Sequence, residues 1–377
     1  MIKEFEVKKL NGFLDYKMKF HPDLNILTGK NGSGKTTLLK LIWYMLSPNI
    51  ERTVPEISFS TANLATDEFQ LSIARSLVED RERVSIKYVE PDKEPFDLEV
   101  WADEFREPSS LAKIEDVNRR IVGLPSGSVF FPSFRRIEGG FSLEHEARYY
   151  PKAYRMSSAL SEAISEYTKM MTVRNHKFIA SISTKDIEEL LTLQYAVVSN
   201  KTNRLHLELS KFITSAIGNT QSTKSTKSSV KKELADAKEL LEQIRQKVNN
   251  VEGNRERLMQ PFSALSKLIR EIFKDKGIRI TPSLTFGEAR AAISSAILSA
   301  GEKQMLSFLC YNAFTKSSPI FIDEPELSLH MDWQRLLFPT LLSQGSKNQF
   351  VVSTHSPFMY SKYPDKEFLL DKDRGDS

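Results

Sequence analysis

The sequence predicts an α/β fold: a largely parallel sheet with helices on both faces, an antiparallel β region at the N-terminus, and a short helical hairpin inserted midway. Three observations predict it. Apolar strands alternate with helices at both ends of the chain, the pattern of a covered parallel sheet. The stretch "NILTGKNGSGKTTLLKLIW" (25–43) passes from an apolar strand through glycines straight into an apolar-periodic run. Between the two ends, 186–276 switches to heptad-like spacing.

In chain order, "IKEFEVKKL" and "FLDYKMKF" alternate with a period near two, and "LNILT" is a short apolar run ending at glycine, so 2–28 reads as strands. Lys35 to Leu46 reads as a helix stopped before Pro48. In the mixed region 50–130, "VSIKYV" and "FDLEVWA" read as strands and "SLAKIEDVNRRIVG" as a helix ended by Gly123. Leu191, Val198, Leu205 and Phe212 then recur every seven residues. Leu234, Ala237, Leu241, Ile244, Val248 and Val251 alternate three and four apart. These stripes suit an antiparallel helical hairpin, or simply two helices facing one globular core. The intervening "GNTQSTKSTKSSVKK" reads as a polar loop. Lys224, Lys227, Lys231 and Lys232 at this tip suit an anionic surface, or only keep a solvated loop polar. After 278 the alternation returns. "IRITPSLTF", "PIFIDEP", "NQFVVSTHS" and "KEFLLD" read as strands, and "GEKQMLSFLCYNAF" and "MDWQRLLFPTLL" as helices. The expected division is 1–180, an N-terminal lobe; 181–279, the helical insert; and 280–377, a C-terminal lobe.

The 377 residues suffice for two or three domains, and 40% hydrophobic with 27% charged residues is ordinary globular composition. A net charge of +4 permits an anionic partner without requiring one. The single cysteine, Cys310, makes no intrachain disulfide and reads as a buried small hydrophobe on a helix. "MIKEFEVKKL" has no apolar leader core, and no run of 18 apolar residues occurs, so the expectation is a cytoplasmic protein with no membrane segment.

Gly29 to Thr36 fits G-x-x-x-x-G-K-[ST]. Glycines allow successive N–H groups to turn inward on an anion, and the following helix aims its positive N-terminal end at the same point. Asn31, Gly32, Ser33 and Gly34 form the cradle, Lys35 reaches the β- and γ-phosphates, Thr36 places its hydroxyl on Mg²⁺, and Thr37 lies by the α-phosphate. ATP and Mg²⁺ are therefore the expected ligands. In "PIFIDEPELSLH" an apolar strand carries Asp323 to its C-terminal end, where open parallel sheets bind ligands. Asp323 is expected to hold Mg²⁺ through water, and Glu324 to take a proton from the attacking water.

Two further stretches supply a resemblance. "LSAGEKQ" (298–304) resembles the signature of ABC ATPases, and "STHSP" resembles their switch-histidine loop, which puts His355 at the γ-phosphate. "ELSLH" (326–330) sits where those proteins carry the D-loop, and all the motifs come in the family's order. The phosphate loop and the signature lie about 270 residues apart, so an insert splits the head as in the SMC, RecF and OLD-type ABC ATPases. The string "LSAGEKQ…FIDEPELSLH…WQ…QFVVSTHSP" is most similar to the OLD-type branch, which includes the Septu-type defence ATPases. Departures are Met331 in place of the usual proline, no identifiable Q-loop glutamine, and no CxxC apex. Arg135 or Arg136 could reach phosphate, or form a surface ion pair.

The resemblance implies a homodimer or larger homo-oligomer with ATP sandwiched between heads. Ser299 and Gly301 would then act on the partner's γ-phosphate. The six histidines show no metal-ligand spacing, and the chain ends 22 residues beyond His355, so a nuclease effector of HNH or Toprim type is expected in trans. The alternatives are a RecF-like DNA repair ATPase that binds DNA, and a scaffold that binds nucleotide without hydrolysing it.

Overall fold

The computed structural model describes residues 1–133, 152–182, 184–220, 230–272 and 298–370. Arg135, Arg136, Lys224, Lys227 and the expected strand at 278–286 lie outside the described residues, as do the side chains of Lys231 and Lys232. Two compact units are present: Met1–Lys185 with Leu298–Ser377, and Asp186–Ile297.

The first unit contains two six-stranded sheets. Strands β1 (Ile2–Leu10), β2 (Leu14–Lys19), β4 (Thr61–Thr66), β5 (Gln70–Val78), β6 (Arg81–Val89) and β7 (Phe96–Trp101) form an antiparallel sheet in the order β2-β1-β4-β5-β6-β7. β4 and β5 were not legible in the sequence. The inward positions of β4 are Ala62, Leu64 and Thr66, too small and too mixed to read as an apolar face.

The second sheet is parallel throughout. It combines β3 (Leu24–Thr28), β8 (Ser128–Phe131), β9 (His176–Phe178), β10 (Pro319–Asp323), β11 (Gln349–Ser353) and β12 (Glu367–Leu369) in the order β12-β3-β11-β10-β8-β9. β3 and β10, from opposite ends of the chain, both pair with β11. Leu27 is in register with Ser353, and Ser353 with Asp323. The three strands therefore end together, on the edge where the glycine loop leaves β3.

Helix α1 (Lys35–Leu46) follows that loop, and its residues from Leu38 to Leu46 are buried almost without interruption. It touches β10 and β11 of one sheet and β4 of the other, and a helix apolar on every side is one enclosed on every side. Trp43 anchors it. Its indole Nε1–H donates to Ser128 Oγ at 3.1 Å, and that hydroxyl also meets His176 Nδ1 at 2.9 Å. Further helices are α2 (Thr53–Glu56), α3 (Pro108–Val122), and α4 (Lys152–Met171), which the sequence reading did not identify.

In the second unit, α5 (Thr184–Thr220) and α6 (Val230–Ile272) run antiparallel: Tyr195 meets Phe262 edge-on, and Lys247 lies over the Phe212 ring. The register differs from the expected stripe at Ala237, which is exposed, and at Leu241. Leu241 is 65% exposed, while the adjacent Leu240 takes the inner position above Ile244. Two neighbouring leucines fit a heptad equally well on paper, and only the partner helix chooses between them.

The first unit closes with α7 (Ala300–Phe314), α8 (Met331–Ser343) and α9 (Pro357–Tyr360). Cys310 is buried on α7 as expected. Met331 is the first residue of α8, the position at which proline is most readily accepted. Among the described residues no helix is long and apolar enough to cross a membrane.

Candidate nucleotide site

Gly29, Gly32 and Gly34 take φ of 140°, 84° and 80°. Gly34 occupies the N-cap of α1 in the left-handed region and supplies no capping side chain. The first N–H groups of this largely buried helix thus face the loop, which suits an anion. Tyr16 on β2 secures the loop from outside by donating its hydroxyl to Ser33 O at 2.8 Å. Asn31 and Gly32 are exposed at the crest, Ser33 is buried, and Thr37 is half-buried.

Lys35 is only 5% exposed. Its ammonium donates to Gly29 O and Lys30 O at 2.9 Å each and to Ser33 Oγ at 3.3 Å. The lysine therefore fills the hollow of its own loop, bound to oxygens that phosphate oxygens can replace.

Thr36 Oγ1 donates to Asp323 Oδ1 at 3.1 Å, across 287 residues of sequence. Asp323 is fully buried at the end of β10, and the same Oδ1 accepts from Ser353 Oγ. A hydroxyl and a carboxylate oxygen make a hard, oxygen-only pair. This fits Mg²⁺, which keeps several waters and takes one or two protein oxygens beside the phosphates.

Glu324 follows with φ 48°, a costly conformation for a residue with a side chain, held by its N–H to Ser353 O at 3.0 Å. The turn sends its side chain away from Asp323 and toward the switch loop, where Glu324 Oε1 lies 4.0 Å from His355 Nε2. Burial, then the charges of Asp323 and Glu326, raise the Glu324 carboxyl above its ordinary range, against the opposing pull of His355 and Lys35. A carboxyl raised in this way is a better proton acceptor than a solvated one.

Lys35, Thr36, Asp323, Glu324 and His355 thus come to one edge of the parallel sheet. Ser299 is engaged differently. It N-caps α7 in a capping box, its N–H donating to Glu302 Oε2 at 2.7 Å and its Oγ accepting from Glu302 N at 3.4 Å. Gly301, in the first turn, lies against the D-loop: a Cβ there would fall 2.3 Å from Ser328 O. Gln304, fully buried on the same helix, donates Nε2 to Pro325 O at 2.7 Å.

Sequence reasoning assigned no role to Ser353, Gln304, Glu326 or Gln334. Glu326 bridges Thr354 Oγ1 (2.8 Å) and His355 N (2.6 Å) with its two carboxylate oxygens. The signal for it was present, a third acid in "DEPE", but its partner lies 29 residues away in another strand's loop.

A glycine loop on an apolar helix, with paired acids at the end of the next strand but one, defines a P-loop ATPase head. The chain belongs to the AAA ATPase domain family, whose model matches residues 1–360. A stretch of 52 residues is 38% identical to the DNA replication and repair protein RecF of Lactococcus lactis subsp. cremoris strain MG1363, and 36% to that of subsp. lactis strain IL1403. The match spans 14% of this chain and only 14% of the length of each RecF. Two solved structures are also similar. One is the Smc head domain with an extended coiled coil, bound to the C-terminal domain of ScpA and derived from Pyrococcus furiosus (17% identity, TM-score 0.37, covering 96% of this chain and 91% of that one). The other is the SmcHead bound to the C-winged helix domain of ScpA (14%, TM-score 0.39, 96% and 91%). Its motif order resembles that of the SMC/RecF-like ABC ATPases.

Proposed function

We propose that the head, built from 1–180 and 280–377 around the insert 181–279, binds and hydrolyses ATP, and that ATP joins two heads into a dimer that hydrolysis releases. The observation that carries this reading is the convergence of Thr36–Asp323 and Glu324–His355 at the edge where the phosphate loop opens.

In this mechanism the N–H groups of Asn31, Gly32, Ser33 and Gly34 hold the β-phosphate, and Thr37 holds the α-phosphate. The Lys35 ammonium exchanges its loop carbonyls for β- and γ-phosphate oxygens. Thr36 and Asp323 would hold Mg²⁺, which would supply neutralisation of the phosphate charge there. Glu324 accepts a proton from the attacking water at a carboxylate oxygen, and His355 donates a hydrogen bond to the γ-phosphate. Ser299 and Gly301 of a second copy complete the enclosure from the far side and stabilise charge as the phosphoryl group transfers.

Glu324→Gln keeps the shape and removes the base. Turnover should fall by roughly 10²-fold or more, and ATP should accumulate in a stable dimer visible by light scattering. Hydrolysis at the parent rate would show that the base lies elsewhere, and a monomer in the presence of trapped ATP would refute the sandwich. The same turnover assay separates this reading from a non-hydrolysing scaffold.

Two readings of what the switch controls have specific support. The OLD-type motif order, shared with Septu-type defence ATPases, supports an anti-phage complex in which the heads hold a separate nuclease in check. The RecF stretch supports a DNA repair role with direct DNA binding. Duplex binding that weakens steeply with added salt would favour the repair reading. A stable complex with a nuclease encoded by the neighbouring reading frame, in the absence of DNA affinity, would favour the defence reading.

A further inference from the structure

The D-loop and the switch-histidine loop are closed into one ring by side chains. Glu326 Oε1 accepts from His355 N at 2.6 Å, and Glu326 Oε2 accepts from Thr354 Oγ1 at 2.8 Å. Thr354 Oγ1 in turn accepts from Ser356 N at 3.0 Å, and Ser356 Oγ donates to Gln334 Oε1 at 2.5 Å. Gln334 Nε2 then donates to Leu329 O at 2.8 Å, back on the D-loop. Every member of the ring is buried or half-buried except His355.

On the other side of the same loop, Gly301 packs against Ser328 O, and Gln304 holds Pro325 O. The D-loop is therefore fixed between the signature helix and the switch loop. Its own backbone has little slack: Ser328 sits at φ 77°, and Leu329 N closes a turn onto Glu326 O at 3.0 Å.

We propose that Glu326 is a positioning residue for hydrolysis. Its carboxylate sets the place of His355 against Glu324 and, with Gln334, makes the D-loop and the switch loop move as one body. A displacement of the signature helix then reaches His355 of the same chain through Gly301, Ser328 and Glu326. The kinetic part of this inference rests on the hydrolysis reading above; the tether itself does not. A carboxylate suits the task because both loop partners are donors, one N–H and one O–H, and it offers an acceptor oxygen to each.

The test compares the parent with Glu326→Ala, Glu326→Gln and Gln334→Ala in two measurements. The first is amide hydrogen exchange over 351–358 in the nucleotide-free protein. His355 N–H should be protected in the parent, lose protection in Glu326→Ala, and regain it in Glu326→Gln, whose carbonyl oxygen still accepts. The second is steady-state ATPase with ATP affinity measured separately. Glu326→Ala should lower kcat about tenfold or more, because the displaced group lies beside the reacting phosphate, while ATP affinity stays within about twofold. Glu326→Gln should recover most of kcat, and Gln334→Ala should fall between parent and Glu326→Ala. Unchanged exchange at His355 in Glu326→Ala overturns the tether. So does a parallel loss of ATP affinity and kcat that Gln does not rescue, which marks a residue needed only for the fold. A parent without turnover refutes the hydrolysis reading, and the exchange measurement still decides the tether.

Discussion

Replacing Gly301 with alanine tests the packing of the signature helix on the D-loop. The added Cβ would lie 2.3 Å from the Ser328 carbonyl oxygen, where real contacts essentially never fall below 3.0 Å, so the two must separate by at least about 0.7 Å. The obstacle is backbone, not the end of a flexible side chain. The D-loop is also held by Gln304 at Pro325 and by Gln334 at Leu329. Overpacking of this kind costs about 1–3 kcal/mol. A shift approaching 1 Å close to a catalytic group can lower turnover by up to about 10²-fold. The glycine loop proposed to hold ATP is not touched, so the nucleotide affinity of the isolated head should be unchanged. Urea midpoints by tryptophan fluorescence, nucleotide titration and steady-state ATPase measure the three quantities. If Gly301→Ala unfolds at the parent midpoint and turns over at the parent rate, the D-loop yields freely and the packing argument fails.

The remaining predictions concern the phosphate loop and the buried His176 on β9. Lys35→Ala should weaken ATP binding greatly, and equal affinity in mutant and parent would refute the assignment. It should also cost about 1 kcal/mol or more of stability, because the ammonium holds three loop oxygens from a nearly buried position. His176 should make the head acid-sensitive. Burial lowers its pKa from 6.5 to about 4, so the folded state resists a proton that the unfolded chain accepts. The stability it contributes is complete above about 6.5 and is lost as pH falls toward 4, a total of about 3 kcal/mol. Urea midpoints across that range should show a component absent from His176→Gln, and identical pH profiles in the two proteins would refute it.

The sequence by itself determined the parts whose signal is local. A glycine loop between a strand and a helix specifies its own geometry, since φ values of 80° and above admit little besides glycine. The apolar strand ending in Asp323 and the helix from Lys35 to Leu46 follow from short-range pattern in the same way. Only the tertiary structure decided how those pieces meet. β11 threads between β3 and β10, and so brings Ser353 onto Asp323 and His355 toward Glu324. No spacing in the chain encodes the pairing of β3 with β11, about 325 residues away, or which neighbour lies beside β10. Glu326 and Gln304 remained without a role for the same reason. A carboxylate or an amide is legible as a ligand only when its partner is known, and here the partners are a backbone N–H and a carbonyl that every residue possesses. β4 was missed because Ala62 and Thr66 carry almost no apolar signal of their own; its place comes from ladder bonds to β1 and β5, which exist only once the sheet has formed.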